Sequence, residues 1–493
     1  MNQLNWLIVY PEIFLLLMTS VVALVGLEPS AAGQRLTFWL AQASLLVLAF
    51  MHLHELNVGA TVYGMQRMVV ADPLGHLLAL AAVVATMVTL GYARPYLASR
   101  DLMKGEFLSL SMFSLLGISV MVSANNFLVV YVGLETMSLS LYALAALRRD
   151  HAISTEAAMK YFVLGALASG FLLYGLSMMY GATGTLDIPR VFEQIHKGTI
   201  NTTVLTFGLV FIVSGLAFKL GLAPFHMWVP DVYHGSPTAV TLLISGAPKL
   251  AAFGITFRIL VEALSGQAGD WQEMLVVLAV VSMTIGNLAA IVQSNLKRLL
   301  AYSAIAQLGF MLLGLTPTVV DMNTYNAANG YSSAMFYIVT YVLTTLGTFG
   351  LIMYLSRHGF ESEEVADLAG LAKRSPWVAA VMSVFMFSLA GIPPLVGFYA
   401  KFAVLQALVS TNQTGYIVLA VIAVLLSLIA AYYYLRVVKT MYFDEPLDST
   451  PIRGDAGTGV LLALNGIAAL AFGIAPDWLM SLCRDAVQKA LST

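Results

Sequence analysis

Runs of about 20 apolar residues recur from one end of this chain to the other, and no other feature restricts its fold so strongly. They lie near residues 7–27, 36–54, 74–94, 107–123, 127–147, 158–181 and 203–223, then 238–262, 273–293, 299–316, 331–356, 378–409, 415–442 and 457–480. Each is close to the length a helix needs to cross hydrocarbon, where every backbone N–H and C=O must find its partner inside the segment. Hydrophobic residues make up 59% of the 493, and charged residues only 10% against about 25% in a soluble domain. The spacing therefore predicts an all-α integral membrane protein with about 14 transmembrane helices, embedded in a lipid bilayer. No segment between the runs is long enough for a soluble domain, so any redox or nucleotide chemistry must lie in other chains.

The remaining composition narrows the function. A net charge of −2 and short basic clusters that flank apolar runs imply no nucleic-acid partner. The single Cys483 excludes a disulfide framework or a cysteine-ligated cluster. The start, MNQLNWLIVYPEIF, lacks a basic n-region and a small-residue cleavage site, so it reads as an uncleaved first span. With the N-terminus outside, the inner loops hold fourteen Lys and Arg, from Arg35 to Arg453, and the outer loops five. That positive-inside bias puts both termini on the outer, periplasmic side of a bacterial inner membrane.

Five basic residues remain inside spans: Lys160, Lys219, Lys249, Arg258 and Lys401. A lysine at bilayer depth costs roughly 2.5–3.5 kcal/mol on insertion scales, so each needs a reason. Lys219 and Lys249 flank the stretch GLAPFHMWVPDVYHGSPT, whose Pro224, Pro230 and Pro237 prevent one unbroken helix. Opened backbone at that depth survives only inside protein or beside water, as along an ion path. Among the acids only Glu135, in VYVGLETMSLSLYAL, is read as lying deep within a span. A carboxylate there is either held by a neighbouring helix or titrates against a nearby cation, and Lys219 is the natural partner.

An internal repeat is visible. Ala158-Met159-Lys160-Tyr161-Phe162-Val163 matches Ala334-Met335-Phe336-Tyr337-Ile338-Val339, offset 176. Val210-Phe211 with Ser214 matches Val384-Phe385 with Ser388, offset 174, and Asn126 with Leu139 matches Asn295 with Leu308, offset 169. The order suggests two five-helix units, 107–262 and 273–442, after a three-helix segment 1–106 and before a last helix and tail, 457–493. Five is odd, so the second unit is expected to be inverted. The break at Pro224 then pairs with Gly391-Ile392-Pro393-Pro394, which Lys401 follows, and paired breaks point to a transport path.

Other residues carry two readings. Lys160 begins a span, where it either snorkels to the surface or supports the path. His226 follows the first break and either satisfies opened backbone or titrates near neutrality. Tyr302, Ser303 and Gln307 either hold water between the halves or pack. Tyr432-Tyr433-Tyr434 reads as an interfacial belt. His52 and His54 are too few for a metal site, and none is expected.

Glu135 in GLETMSLSLYAL, the run AFKLGLAPFHMWVPDVYHGSPT and SLAGIPPLVGFYAKF together resemble the antiporter-like membrane subunits of respiratory complex I, NADH:quinone oxidoreductase. Pro11-Glu12, RRDHAISTEAAMKYFVLGALASG and the overall length suit the subunit N branch, and the likeness covers essentially the whole chain. Lysine at 401 favours that branch over M, and the lack of a long lateral helix after the last span argues against L. The resemblance implies a proton axis of Glu135, Lys219, Lys249 and Lys401, with Glu135–Lys219 as the coupling element. Protons would enter from the cytoplasmic side and leave outside. It also implies partner membrane-arm subunits, with FMN, iron–sulfur clusters and quinone (ubiquinone among them) held by other subunits and no cofactor in this chain. A stand-alone multisubunit cation/proton antiporter or a membrane-bound hydrogenase shares much of this pattern. Co-purifying flavin and iron–sulfur subunits with NADH:quinone activity separate the first reading from these two.

Overall fold

A computed structural model of the chain describes residues 5–198, 200–319, 324, 326–447, 450, 452 and 454–492. The inner-loop assignment of Arg453 and the reading of residues 1–4 lie outside these. Among the described residues, twelve helices are long and apolar enough to cross a membrane. Pro376–Ala390 and Val396–Val409 form a broken pair of shorter apolar helices, and Leu296–Leu312 is a further helix of 17 residues. Among the described residues one hairpin of two short strands is not helical. Val62–Gly64 pairs antiparallel with Val69–Ala71, closed by Met65, Gln66 and Arg67 at positive φ. Three-residue strands are too short to leave an alternation in the sequence.

The helices start and pack at positions the residue types dictate. Asn126 and Asn295 each cap a helix with their side-chain oxygen, accepting from Leu128 N at 2.9 Å and from Arg298 N at 3.1 Å. Each also donates its amide to an acid, Asp187 Oδ1 at 2.8 Å and Glu364 Oε1 at 3.0 Å. Glycine sets the distance between the paired helices that follow. A Cβ at Gly117 would lie 2.5 Å from Gly133 O and 2.4 Å from Met137 N; at Gly286 it would lie 2.7 Å from Tyr302 O and 2.8 Å from Ala306 N. Gly286, Tyr302 and Ala306 thus stand where Gly117, Gly133 and Met137 stand, in the register that also relates Asn126 to Asn295. Backbones this close permit no side chain, which is the usual reason for small residues between membrane helices.

Helix Pro73–Ala98, the third of the chain, packs against Ala247–Thr256 and Ala327–Leu355, and its Tyr92 ring fills the space a Cβ at Gly350 would take. The apolar run 457–480 divides, because Pro476 separates helix Ala456–Ile474 from helix Asp477–Leu491. The latter buries Leu479, Cys483, Ala486 and Val487, a stripe at helical spacing, against Ala327–Leu355 and Pro73–Ala98.

An ion pair closes the end of helix Pro73–Ala98 onto the loop after Ala327–Leu355. Arg100 donates Nε to Glu361 Oε1 at 2.9 Å and Nη2 to Oε2 at 3.0 Å, and Tyr96 OH donates to Oε2 at 2.9 Å. Burial alone would push the Glu361 carboxyl up, but the bonds and charge of Arg100 outweigh it and hold it below the ordinary range. A depressed folded-state value adds stability above the unfolded carboxyl's titration, and that stability is lost as pH falls through the folded one. Glu361→Gln should therefore unfold at a lower temperature than wild type at pH 7, by about 1 kcal/mol for a partly exposed pair. The gap should close as the pH is taken below about 4. A gap that stays constant in thermal scans across that range would refute the assignment.

Candidate functional site

Two helices stop in the same manner near the middle of the molecule. Thr202–Leu220 ends at Gly221 (φ 84°) and Pro376–Ala390 at Gly391 (φ 85°), left-handed positions that suit glycine. Gly221 N donates to Ala217 O and Phe218 O, and Leu222 N to Ala217 O at 2.8 Å. Gly391 N donates to Phe387 O and Ser388 O, and Ile392 N to Phe387 O at 2.9 Å. Each turn thus satisfies two of the four carbonyls that a helix end leaves open. The following backbone cannot take the other two. Pro224, Pro393 and Pro394 have no N–H, and Ala223 N is spent on Ser282 Oγ at 2.9 Å.

Lysine ammonium groups take them instead. Lys249 Nζ donates to Lys219 O at 3.2 Å and Leu220 O at 3.0 Å. Lys401 Nζ donates to Leu389 O at 3.0 Å, Ala390 O at 3.1 Å and Ser427 Oγ at 2.7 Å. One register relates the two breaks: Lys219 and Leu220 stand where Leu389 and Ala390 stand, Gly221 where Gly391 does, and Pro224 where Pro394 does. The lysines do not follow it. Lys249 comes from the neighbouring helix Ala247–Thr256, and Lys401 from Val396–Val409, the second half of its own broken helix. A cation here also meets the negative end of the helix dipole. Lys249 is 1% exposed and lies 5.0 Å from the Trp228 ring centroid; Lys401 is 8% exposed and lies 5.7 Å from that of Phe310.

The Lys219 side chain reaches helix Phe127–Ala145. Its Nζ donates to Ser138 Oγ at 2.9 Å, and among the described residues no ion pair joins it to Glu135. Glu135 sits one turn before Ser138 on the same helix, Phe127–Ala145, and its Oε1 is buried without a hydrogen-bond partner. Lys219 thus bonds Ser138, one turn along the helix from the Glu135 with which the sequence pattern pairs it.

Beyond Lys401 a polar network runs through the second half. Gln307 Nε2 donates to Leu389 O and to Tyr434 OH, both at 2.9 Å, while Tyr337 OH donates to Gln307 Oε1 and Ser303 Oγ meets Tyr434 OH. Tyr337, Thr340, Tyr341 and Thr344 form one face of helix Ala327–Leu355 and line a small cavity with Gln307 and Ser388. The tyrosine triplet is therefore not a belt. Tyr433 and Tyr434 are fully buried, Tyr433 donating to Asn287 Oδ1 at 3.1 Å, and only Tyr432 is exposed. Consecutive helical residues are turned by about 100°, so three in a row cannot share one surface.

The supporting residues separate. Lys160 is 42% exposed and bridges Asp231 Oδ2 at 2.7 Å and Glu156 Oε1 at 2.8 Å, with Arg298 on the other oxygen of Asp231 at 2.9 Å. His226 is half-buried beside the first break, and among the described residues its Nδ1 has no hydrogen-bond partner. Tyr302 is half-buried; its neighbours Ser303 and Gln307 join the network. His52 Nδ1 lies 3.2 Å from His76 Nδ1. Among the described residues no group of three or more His, Cys, Asp or Glu is placed to hold a metal.

Two features escaped the sequence reading. The run 238–262 is broken at Gly246, so Lys249 lies in the first turn of a short helix; Gly246-Ala247-Pro248 was the available signal. Two acids nearer span ends than Glu135 also take polar partners. Glu12 accepts from Ser119 Oγ at 2.8 Å, and Glu262 Oε1 accepts from the buried Arg258, which also donates to Asp72 Oδ1, both at 2.6 Å. Arg258 and Glu262, four apart, carried that signal.

Residues 124–427 match the family model described as NADH:quinone oxidoreductase/Mrp antiporter, TM. The chain is 58% identical to NADH-quinone oxidoreductase subunit N of Herminiimonas arsenicoxydans, over 100% of both. It is 56% identical to the subunit N of Polaromonas naphthalenivorans, over 100% of this chain and 99% of that one. Among solved structures it is similar to a chain of respiratory complex I from Thermus thermophilus with bound aureothin (TM-score 0.80, 30% identity, 96% of this chain and 99% of that one). A chain of the Mrp complex from Dietzia sp. shares the fold at 21% identity (TM-score 0.86, 99% and 98% covered).

Proposed function

The chain belongs to the NADH-quinone oxidoreductase subunit N family of antiporter-like membrane proteins, and from that premise we propose that it carries protons across the bacterial inner membrane as part of complex I. NADH oxidation and quinone reduction occur in partner subunits, which hold the FMN, the iron–sulfur clusters and the quinone. Protons enter from the cytoplasmic side, pass Lys219, Lys249 and Lys401, and leave on the periplasmic side, where both termini lie. Glu135 and Lys219 couple the chain to its neighbours. The units 107–262 and 273–442 act as inverted repeats. Support for that reading comes from the paired glycine contacts at Gly117 and Gly286 and the paired breaks at Gly221 and Gly391.

One observation carries the path. Lys219, Lys249 and Lys401 each rest on carbonyl or hydroxyl oxygens, and among the described residues no carboxylate forms an ion pair with any of them. A lysine fixed by a carboxylate keeps its proton; one held by neutral oxygens in a low-dielectric site is free to exchange it. The likeness to the Mrp chain favours a common antiporter-like fold and, at 21% identity, no more than that.

Lys249→Met and Lys401→Met test the path, since methionine keeps most of the volume and removes the charge. Assembled complexes carrying either change should move fewer protons per NADH oxidised in sealed vesicles. A normal ratio in both would take the two lysines off the path.

A further inference from the structure

A cleft separate from the lysine series opens sideways between helices Ala31–Val58, Pro73–Ala98 and Ala456–Ile474. Its volume is about 800 Å³, within the roughly 300–1,000 Å³ of typical ligand sites. The walls are apolar, with Leu46, Met87, Leu461 and Leu464 along its length. Gly91 keeps it open, since a Cβ there would already lie 3.0 Å from Leu461.

Arg94, near the C-terminal end of its helix, marks one end of the cleft. Its guanidinium lies 4.6 Å from the Phe38 ring centroid and 5.6 Å from that of Trp39. Among the described residues it forms no ion pair and donates no hydrogen bond to a protein acceptor. Asp455, whose carboxylate also lines the cleft, is occupied at the start of its own helix, where Oδ2 accepts from Thr458 N at 3.0 Å and Thr458 Oγ1 at 3.2 Å. The helix dipole there offsets part of its charge.

In a chain that spans a membrane, an apolar cleft open to the side is bathed in acyl chains. A planar guanidinium with unused donors at its end matches a phosphate in two-point geometry. We infer that this cleft binds one anionic phospholipid, its phosphate on Arg94 and an acyl chain along Met87, Leu461 and Leu464. The aromatic pair Phe38 and Trp39 holds the guanidinium in place for the headgroup. This site is independent of the proton path.

Trp39, 61% exposed at the rim, reports occupancy. The full-length chain is reconstituted in phosphatidylcholine vesicles containing either dibrominated phosphatidylglycerol or dibrominated phosphatidylcholine, and the Trp39 emission is isolated by difference from Trp39→Phe. Quenching is expected at a several-fold lower mole fraction of the anionic lipid. Arg94→Gln should bring the two curves together, and Arg94→Lys should keep part of the preference. Equal curves in the wild type overturn the proposal, as does a preference unchanged in Arg94→Gln. Absence of quenching by either lipid also overturns it, because protein then covers the cleft. The wild-type comparison decides alone if Arg94→Gln fails to fold.

Discussion

Arg258→Leu should destabilise the chain by about 3–5 kcal/mol, the cost of leaving buried charge without its partner. Arg258 is 2% exposed and Asp72 1%, and the guanidinium donates to both Asp72 and Glu262 at 2.6 Å. It also donates to Val122 O, from Nε at 3.3 Å and Nη2 at 3.1 Å, which ties helix Gly105–Val122 into the same cluster. Removing it takes the cationic partner from the buried Asp72 and from the less buried Glu262. Asp72 is doubly committed, since its Oδ1 also caps helix Pro73–Ala98 through Gly75 N at 2.8 Å. Thermal unfolding of the purified chain should shift down sharply, and less complex should assemble in membranes. Adding Asp72→Asn to Arg258→Leu should restore part of the loss, since the stranded charge is gone. Whatever complex survives should pump at the normal ratio, because the cluster lies off the lysine series. An unchanged unfolding midpoint in the single variant would remove the cluster from the account of stability.

The largest effect on transport is expected at Glu135 and Lys219. Each is a charge read as lying at bilayer depth, where such groups are costly and mark ion paths. A barrier raised by only about 1.4 kcal/mol already slows a step roughly tenfold. Glu135→Gln and Lys219→Met should each cut redox-driven proton flux at least about tenfold in assembled complex. The double variant should lose less than the product of the two, since both residues would serve one coupling step. Ser138 refines this expectation. Its hydroxyl accepts from the Lys219 ammonium at 2.9 Å, one helical turn from Glu135, so Ser138→Ala should give a smaller loss of its own. That loss should shrink further when Glu135→Gln is already present. Strictly additive effects across the set, in logarithms of flux, would mean that the residues act independently and that no gate joins them.

Much of this is legible in the amino-acid sequence. Apolar length placed the spans, because hydrocarbon offers the backbone no partner and only long helices answer that demand. The charges inside spans were legible for the same reason: Glu135, Lys219, Lys249 and Lys401 stand out wherever a charge is expensive. Gly221 with Pro224 and Gly391 with Pro393-Pro394 announced the breaks, since glycine permits the left-handed turn and proline ends the ladder. The sequence matches suggested a repeat, but not the register that relates the two breaks. Sequence matching sets Ser214 against Ser388, whereas superposing Gly221 on Gly391 sets Ser388 against Phe218. Ser214 and Phe218 are about one helical turn apart, and a slip of one turn keeps the same face and so hardly alters the pattern.

What the lysines hold was decided only by the folded arrangement. Lys249 reaches back to Lys219 and Leu220 on another helix, and Lys401 reaches back to Leu389 and Ala390 across its own break, yet both complete equivalent helix ends. Sequence spacing carries no trace of that likeness. It depends on which helix lies across each break, and close packing between distant segments settles that. The same holds for Ser138 against Lys219, and for Tyr434 against Ser303 and Gln307. Composition and periodicity determine which groups enter the membrane and where the helices open. Which oxygen each ammonium rests on is determined by side chains meeting across helices, a property of the packed bundle and of no single segment.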